Sequence, residues 1–177
     1  TDEINIFLLL KKLQSEGLNT DHIRVETRSP ELASDLASTD DLISYIEKKI
    51  TTDHLLWTLV TSPFVNHKLY NEAVLSYTKN CLEDNYDSLM SVTPLKEFVW
   101  DEKGPVNYDY KKERWPRTQT LPNWYFINSA IFLAPTKILK LSGNRIGKRP
   151  FLFEMDKLRS IDVDGPDDFS IAEAIYS

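Results

Sequence analysis

Apolar residues recur along the chain with two periods, and the switches between them mark its elements. Ile4, Phe7, Leu8, Leu10 and Leu13 follow helical spacing, and Gly17 supplies a stop. His22–Thr27 (HIRVET) alternates apolar and polar in the manner of a short strand. Arg28–Asp35 reads as a loop with one helical turn, entered through Pro30. Ser38, Thr39 and Asp40 then offer an N-cap to a helix whose face is Leu42, Ile43, Ile46 and Ile50. His54–Val60 (HLLWTLV) is a near-continuous apolar run, the pattern of a strand buried on both faces of a parallel sheet. A turn at TSPF (61–64) precedes a further helix with Leu69, Ala73, Val74, Tyr77 and Cys81 inward.

From Ser88 the texture becomes more aromatic and basic. SLMSVTPLKEFVW, DEKG and PVNYDY predict a strand pair around a turn, and Lys111–Thr120 is too polar for a core. Tyr125–Leu133 restores an apolar strand, Pro150–Met155 alternates again, and Pro166–Tyr176 closes the chain as a helix. Helices interleaved with buried strands predict an α/β fold with a mainly parallel sheet. Ligands of such sheets gather at the carboxyl ends of the strands. TSPF and DVD (162–164) hold such positions.

Composition narrows the class. The 177 residues are 41% hydrophobic and 27% charged, which suits one globular domain over 1–177. A net charge of −6 argues against a nonspecific nucleic-acid binder. The single cysteine, Cys81, excludes an internal disulfide and fits a reducing, cytoplasmic setting, with the thiol as a small buried group. Ile6–Leu10 is far too short to span a bilayer, and the chain opens without a basic-then-apolar leader. Neither nucleic acid nor membrane is therefore expected as a partner.

Asp162 and Asp164 flank Val163 just ahead of a Gly-Pro turn. On a short strand both carboxylates would face one side. Two such charges about 6 Å apart repel by about 3 kcal/mol at an effective dielectric of about 20. One reading is a solvated, Asp-rich turn that N-caps the last helix. The other is a divalent cation, since Mg²⁺ takes one or two carboxylates and fills its octahedron with water and phosphate. A haloacid-dehalogenase-type phosphatase opens its domain with DxDG, whereas only 13 residues follow Asp164. A glycosyltransferase DxD needs an acceptor region behind it, and an EF-hand loop needs glycine at its sixth position, where Asp167 stands. What remains is a nucleotidyltransferase, in which a late Asp-x-Asp holds the metal that bridges a nucleoside triphosphate.

Five segments then line up in order: RSPELASDLAST (28–39), TSPF (61–64), PRTQTLP (116–122), NSAIF (128–132) and SIDVDGPDDF (160–169), with IAEA behind them. On these the chain resembles the acylneuraminate cytidylyltransferases (CMP-sialic acid synthetases), relatives of the CMP-Kdo synthetases. The resemblance implies a three-layer nucleotidyltransferase (Rossmann-like) fold with a protruding hairpin arm at 98–121 through which two copies form a homodimer. It implies an enzyme in which a hydroxyl of an acidic sugar attacks the α-phosphate of CTP, releasing pyrophosphate and leaving a CMP-sugar. Asp162 and Asp164 would be the catalytic pair and the Mg²⁺ ligands. Arg28, Ala37 and Thr39 would contact the nucleotide, and Asn128 and Phe132 the sugar. Arg117 and Gln119 of the arm would serve the substrate, Arg117 by reaching toward the acidic sugar held by a second copy. Plainer roles stand beside these: Arg28 paired with Glu31, Phe132 as core, Arg117 as a solvated loop residue.

Two departures qualify what the resemblance implies. The family's glycine-rich, basic phosphate loop after the first strand has no counterpart, and SGNRIGKRP (142–150) lies elsewhere in the order. The first βαβ portion is thus expected to be missing, with weak CTP binding and little turnover. Leu59 stands where members specific for sialic acid commonly carry a sugar-bonding glutamine, so the expected acceptor is a sialic-acid-like or related acidic sugar, or a related small hydroxyl or acid acceptor, rather than sialic acid by default. The alternative is a non-catalytic dimerising or ligand-sensing module of the same descent.

Overall fold

The computed structural model describes residues 3–34, 36–83 and 85–177. Thr1–Asp2, which the resemblance aligns with the end of an early strand, and Asp35 of the RSPELASDLAST segment lie outside the described residues, as do the side chains of Ile4 and Phe7. The chain forms two compact units, residues 1–45 and 46–177.

In the first unit, helix α1 (Glu3–Ser15) ends where Gly17 takes φ 85°, its amide donating to the Gln14 carbonyl at 3.0 Å. Only glycine adopts that backbone without penalty. The strand predicted at His22–Thr27 does not form: the segment is irregular, and Ile23 is exposed. Its alternation is short, and a strand without a neighbour to pair with has no use for it. Arg28–Ser34 runs through turns from Pro30, as expected. Helix α2 (Thr39–Glu47) is capped by Ser38, whose Oγ accepts the Asp41 amide at 3.1 Å while the Asp41 carboxylate accepts the Ser38 amide at 2.9 Å.

The second unit is built on a four-stranded sheet with strand order β1-β5-β2-β6. The strands are β1 (His54–Thr58), β2 (Ser88–Leu95), β5 (Trp124–Pro135) and β6 (Pro150–Glu154). The expectation of a mainly parallel sheet is corrected: β5 pairs antiparallel with both β1 and β2, and only β2 and β6 pair in parallel. β1, β2 and β6 nevertheless share one direction, because the reversed β5 is wedged between β1 and β2. The run at His54–Val60 likewise supplies an edge strand, His54–Thr58, with Leu56 exposed, rather than a strand buried on both faces.

Helix α3 (His67–Tyr77) covers one face of this sheet. Asn66 starts it, its Oδ1 accepting the Lys68 and Leu69 amides at 3.1 and 3.2 Å. Leu69, Ala73 and Tyr77 meet Leu89, Ala130, Ile131, Leu133, Phe153 and Met155 in one core. Each large side chain buried there contributes about 1.5–3 kcal/mol. Val74, expected inward, is 42% exposed because it lies off to one side of the single inward row formed by Leu69, Ala73 and Tyr77. A π turn (Thr78–Leu82) extends α3, and Cys81 packs half-buried against the core from it. Helix α4 (Thr136–Ser142) follows β5, and α5 (Pro166–Tyr176) closes the chain over the predicted residues.

The predicted strand pair of the arm shrinks to a two-strand hairpin, β3 (Trp100–Asp101) with β4 (Gly104–Pro105), since Ser88–Leu95 joins the main sheet instead. The base of the arm is tied twice. Asn107 accepts the Val99 amide at 3.0 Å and donates to the Glu97 carbonyl at 2.8 Å, and Lys96 Nζ donates to the Leu121 carbonyl at 2.9 Å.

Candidate functional site

Because β1, β2 and β6 run the same way, their carboxyl ends share one edge of the sheet. TSPF leaves β1 there and DVD follows β6. The two motifs are joined directly: the Val163 amide donates to the Thr61 carbonyl at 2.9 Å. DVD is not a strand, however, and residues 161–164 have no regular structure. The Val163 amide goes to a turn rather than to a sheet ladder, and Gly165-Pro166 opens a helix immediately after it.

The two aspartates differ in setting. Asp164 is exposed, whereas Asp162 is half-buried with its Oδ1 shut off from water and without a hydrogen-bond partner among the described residues. Neither caps α5. Gly165 is the N-cap, and the Asp168 carboxylate takes the Gly165 and Asp164 amides at 3.0 and 3.2 Å. The capping role read from the sequence for Asp162 and Asp164 thus belongs to Asp168.

A buried acceptor-only oxygen left without a donor costs about 1–3 kcal/mol. A cation against it would remove that cost. Among the described residues no group of three or more His, Cys, Asp or Glu could hold a metal ion. Mg²⁺ can use as few as one or two carboxylates beside water and phosphate oxygens. Ser62, in the TSPF turn, is the neighbour that sequence reasoning passed over: it is 6% exposed, and its Oγ too lacks a partner among the described residues. A serine beside Thr61, directly before the apolar Pro63 and Phe64, was the available signal.

Asn128 is 1% exposed and lies inside the sheet. Its Oδ1 accepts the Ser91 hydroxyl at 2.6 Å and the Ala130 amide at 3.3 Å, while Nδ2 donates to Thr93 Oγ1 at 3.1 Å. These bonds pin a bulge, where Met90 faces Phe132 but Val92 faces Ile127, and where Ser129 is held at φ 59°. Such bulges re-aim side chains and often adjoin functional sites.

Phe132 is 4% exposed, pairs across the sheet with Trp57, and is covered by the Arg145 guanidinium 4.1 Å from its ring centre. The same guanidinium stands 5.4 Å from the Trp57 ring. Arg117 and Gln119 are exposed at a 3₁₀ turn (Thr118–Thr120) of the arm. Arg28 and Thr39 are exposed and Ala37 half-buried in the first unit. Leu59 is half-buried, its carbonyl accepting the Ser62 amide at 3.4 Å as the TSPF turn begins.

The basic loop at 142–150 has its own anion. The Asp87 carboxylate takes the Lys148 and Arg149 amides at 2.7 and 3.0 Å and the Ser88 hydroxyl at 2.9 Å, and the Gly147 amide donates to Ser88 Oγ at 2.9 Å. Burial opposes ionisation of Asp87, but the Ser88 hydroxyl and the Arg149 and Lys148 amides outweigh it and hold the carboxyl below its ordinary value. A backbone concavity of that kind binds phosphate elsewhere; here a carboxylate from the same chain takes the amides of Lys148 and Arg149.

Cys81 is no nucleophile. Its thiol donates to the Ser88 carbonyl at 3.2 Å, and burial, followed by the nearby Asp87, pushes its pKa up to about 11. A cleft of about 720 Å³ opens at the opposite end of β1 from TSPF, with His54, Lys137 and Lys148 among its lining residues.

No known family model matches the chain, and no curated protein matches it. Fold and topology define an α/β protein with a mixed four-strand sheet and a two-strand hairpin. No helix of the described residues is long and apolar enough to cross a membrane.

Proposed function

We propose that the chain is a Mg²⁺-dependent nucleotidyltransferase of the CMP-sugar synthetase type, with a nucleotidyltransferase (Rossmann-like) fold, that transfers CMP from CTP to the hydroxyl of an acidic sugar. The observation that carries this reading is the buried, unpartnered Asp162 Oδ1 in a segment bonded to the turn after β1. Asp162 and Asp164 would hold the ion. When bound, Mg²⁺ supplies charge neutralisation to the phosphates of the nucleotide. The chain's own share is positioning, which such transfers chiefly require. The Thr61–Val163 bond fixes the DVD segment against TSPF, and the Asp168 cap holds Asp164 and Gly165 at the head of α5. Arg28, Ala37 and Thr39 are assigned to CTP, and Asn128, Phe132, Arg117 and Gln119 to the sugar. Leu59 directs the acceptor away from sialic acid itself.

Calorimetric titration of CTP with and without Mg²⁺ tests the reading. Binding should require the ion, and Asp162→Asn should weaken it at least about tenfold, as loss of an ion-holding group does. Binding that is indifferent to both ion and substitution would overturn it. A second reading, a ligand-sensing module without catalysis, draws support from the cleft near His54 and from the basic loop whose Lys148 and Arg149 amides are engaged by Asp87.

A further inference from the structure

We infer that the cleft at the amino end of β1 is a binding site for a small organic monocarboxylate with an apolar body. It lies at the opposite end of β1 from the TSPF turn, so the assignment does not depend on the Mg²⁺ reading of the aspartates. β1 and β2 begin at this edge of the sheet and the reversed β5 ends there, which brings Asp53, His54, Asp87 and Lys137 around one cavity. The loop ahead of β6 adds Lys148. The cleft, of about 720 Å³, falls within the range of small-molecule pockets, about 300–1,000 Å³.

The lining sets the charge of the occupant. Lys137 and Lys148 both line the cleft, and neither ammonium group is in an ion pair among the described residues. Two carboxylates line it as well, in different states. Asp87 is engaged by the Ser88 hydroxyl and the Lys148 and Arg149 amides, whereas the Asp53 carboxylate makes no hydrogen bond among the described residues. With Asp87 engaged, two ammonium groups stand against one carboxylate, a balance that takes one negative charge. His54 adds a neutral donor. The buried Tyr77 hydroxyl meets His54 Nδ1 at 2.8 Å, and burial pushes its pKa up to about 12, so it keeps its proton to donate there. Nε2 of the neutral ring then carries the hydrogen.

The rest of the lining sets the body. Leu82, Tyr86, Ile138 and Leu141 supply apolar wall, which suits a hydrocarbon or aromatic group behind the acid. A phosphate monoester, at about −1.5 to −2, exceeds the charge balance. The Lys148 and Arg149 amides that would cradle it are already taken by Asp87. Both lysines also stand on fixed backbone, which lowers the ordering cost of binding. The Lys148 amide is held by Asp87 at 2.7 Å. Thr136, beside Lys137, donates its amide to the Asp53 carbonyl at 2.8 Å and its hydroxyl to the Thr52 carbonyl.

The test uses the whole chain with naphthoate, followed by its own fluorescence, beside the neutral naphthylmethanol. Naphthoate should bind saturably, one per chain, and at least about tenfold tighter than the alcohol, the scale of a charge-assisted contact. Lys137→Met and Lys148→Met should each weaken naphthoate about tenfold and leave the alcohol unmoved. Leu141 is 86% exposed, so Leu141→Asp leaves the fold intact while it cancels the positive balance, and it should weaken naphthoate likewise. Asp53→Asn removes the opposing charge and should tighten naphthoate about threefold, a gain that no loss of folding imitates. Equal affinity for naphthoate and the alcohol, or lysine variants that bind naphthoate as the parent does, would sink the assignment and leave the aspartate site untouched.

Discussion

A β-carbon on Gly147 would lie 2.4 Å from the Asp87 carboxylate. A flexible side chain could swing away from such an intruder, but the Asp87 carboxylate is held by the Ser88 hydroxyl and two amides. Gly147→Ala must therefore break those bonds or displace the loop, and we expect a loss of about 2 kcal/mol by denaturant unfolding, the scale of overpacking in a tight site. Asp87→Ala should be destabilising too, yet the double variant should lose less than the sum, because the clash needs the carboxylate. Additive losses would show that the two residues act separately. The pH dependence has a definite sign. The folded state lowers the Asp87 pKa, so this stabilisation is complete above the unfolded carboxyl value of about 3.9 and is lost as pH falls through the folded one.

Strand β5 is the element on which both the sheet and the candidate site turn. It carries Asn128, whose amide spans to Ser91 and Thr93 across the bulge. Asn128→Ala would strand those hydroxyls in the interior, and a loss of about 2–3 kcal/mol is expected in thermal or chemical unfolding. An undiminished stability would leave ligand contact as the reason for a buried amide at this position. The same element shows what the sequence could and could not reveal. Tyr125–Leu133 was legible as a strand because apolar residues dominate it, but nothing in a strand's own pattern states which neighbour it pairs with or in which direction. Hence the reversal of β5 and the edge position of β1 were hidden, while Pro166–Tyr176 was legible through Pro166 at its first turn and the acidic residues beside it. The site behaves likewise. TSPF and DVD stood out by composition, whereas the bond joining them, and the burial that separates Asp162 from Asp164, arise only when distant segments meet.

At the scale of the whole molecule, the arm between Phe98 and Leu121 exposes aromatic surface. Phe98 stacks edge-on with Tyr108 and Trp115 at 5.2 and 5.6 Å, and Trp100 with Tyr110 at 6.3 Å, so these rings are held in place. Trp115 and Trp100 are nonetheless 68% and 53% exposed. Exposed apolar patches of this kind mark interaction surfaces. The arm carries five Lys and Arg against four Asp and Glu, so its own charge gives little electrostatic drive to assembly. Self-association through it should accordingly rest on ring burial and resist salt, since screening acts on charges and not on apolar contact. Sedimentation of the chain across a range of concentrations should show a dimer that persists at about 0.5 M salt, where screening reaches only a few ångströms. Trp115→Ala should weaken that dimer by about tenfold or more, the effect of removing an aromatic anchor worth about 2 kcal/mol. A chain that stays monomeric at every concentration, or a dimer that salt alone dissolves, would leave the exposed rings without this explanation.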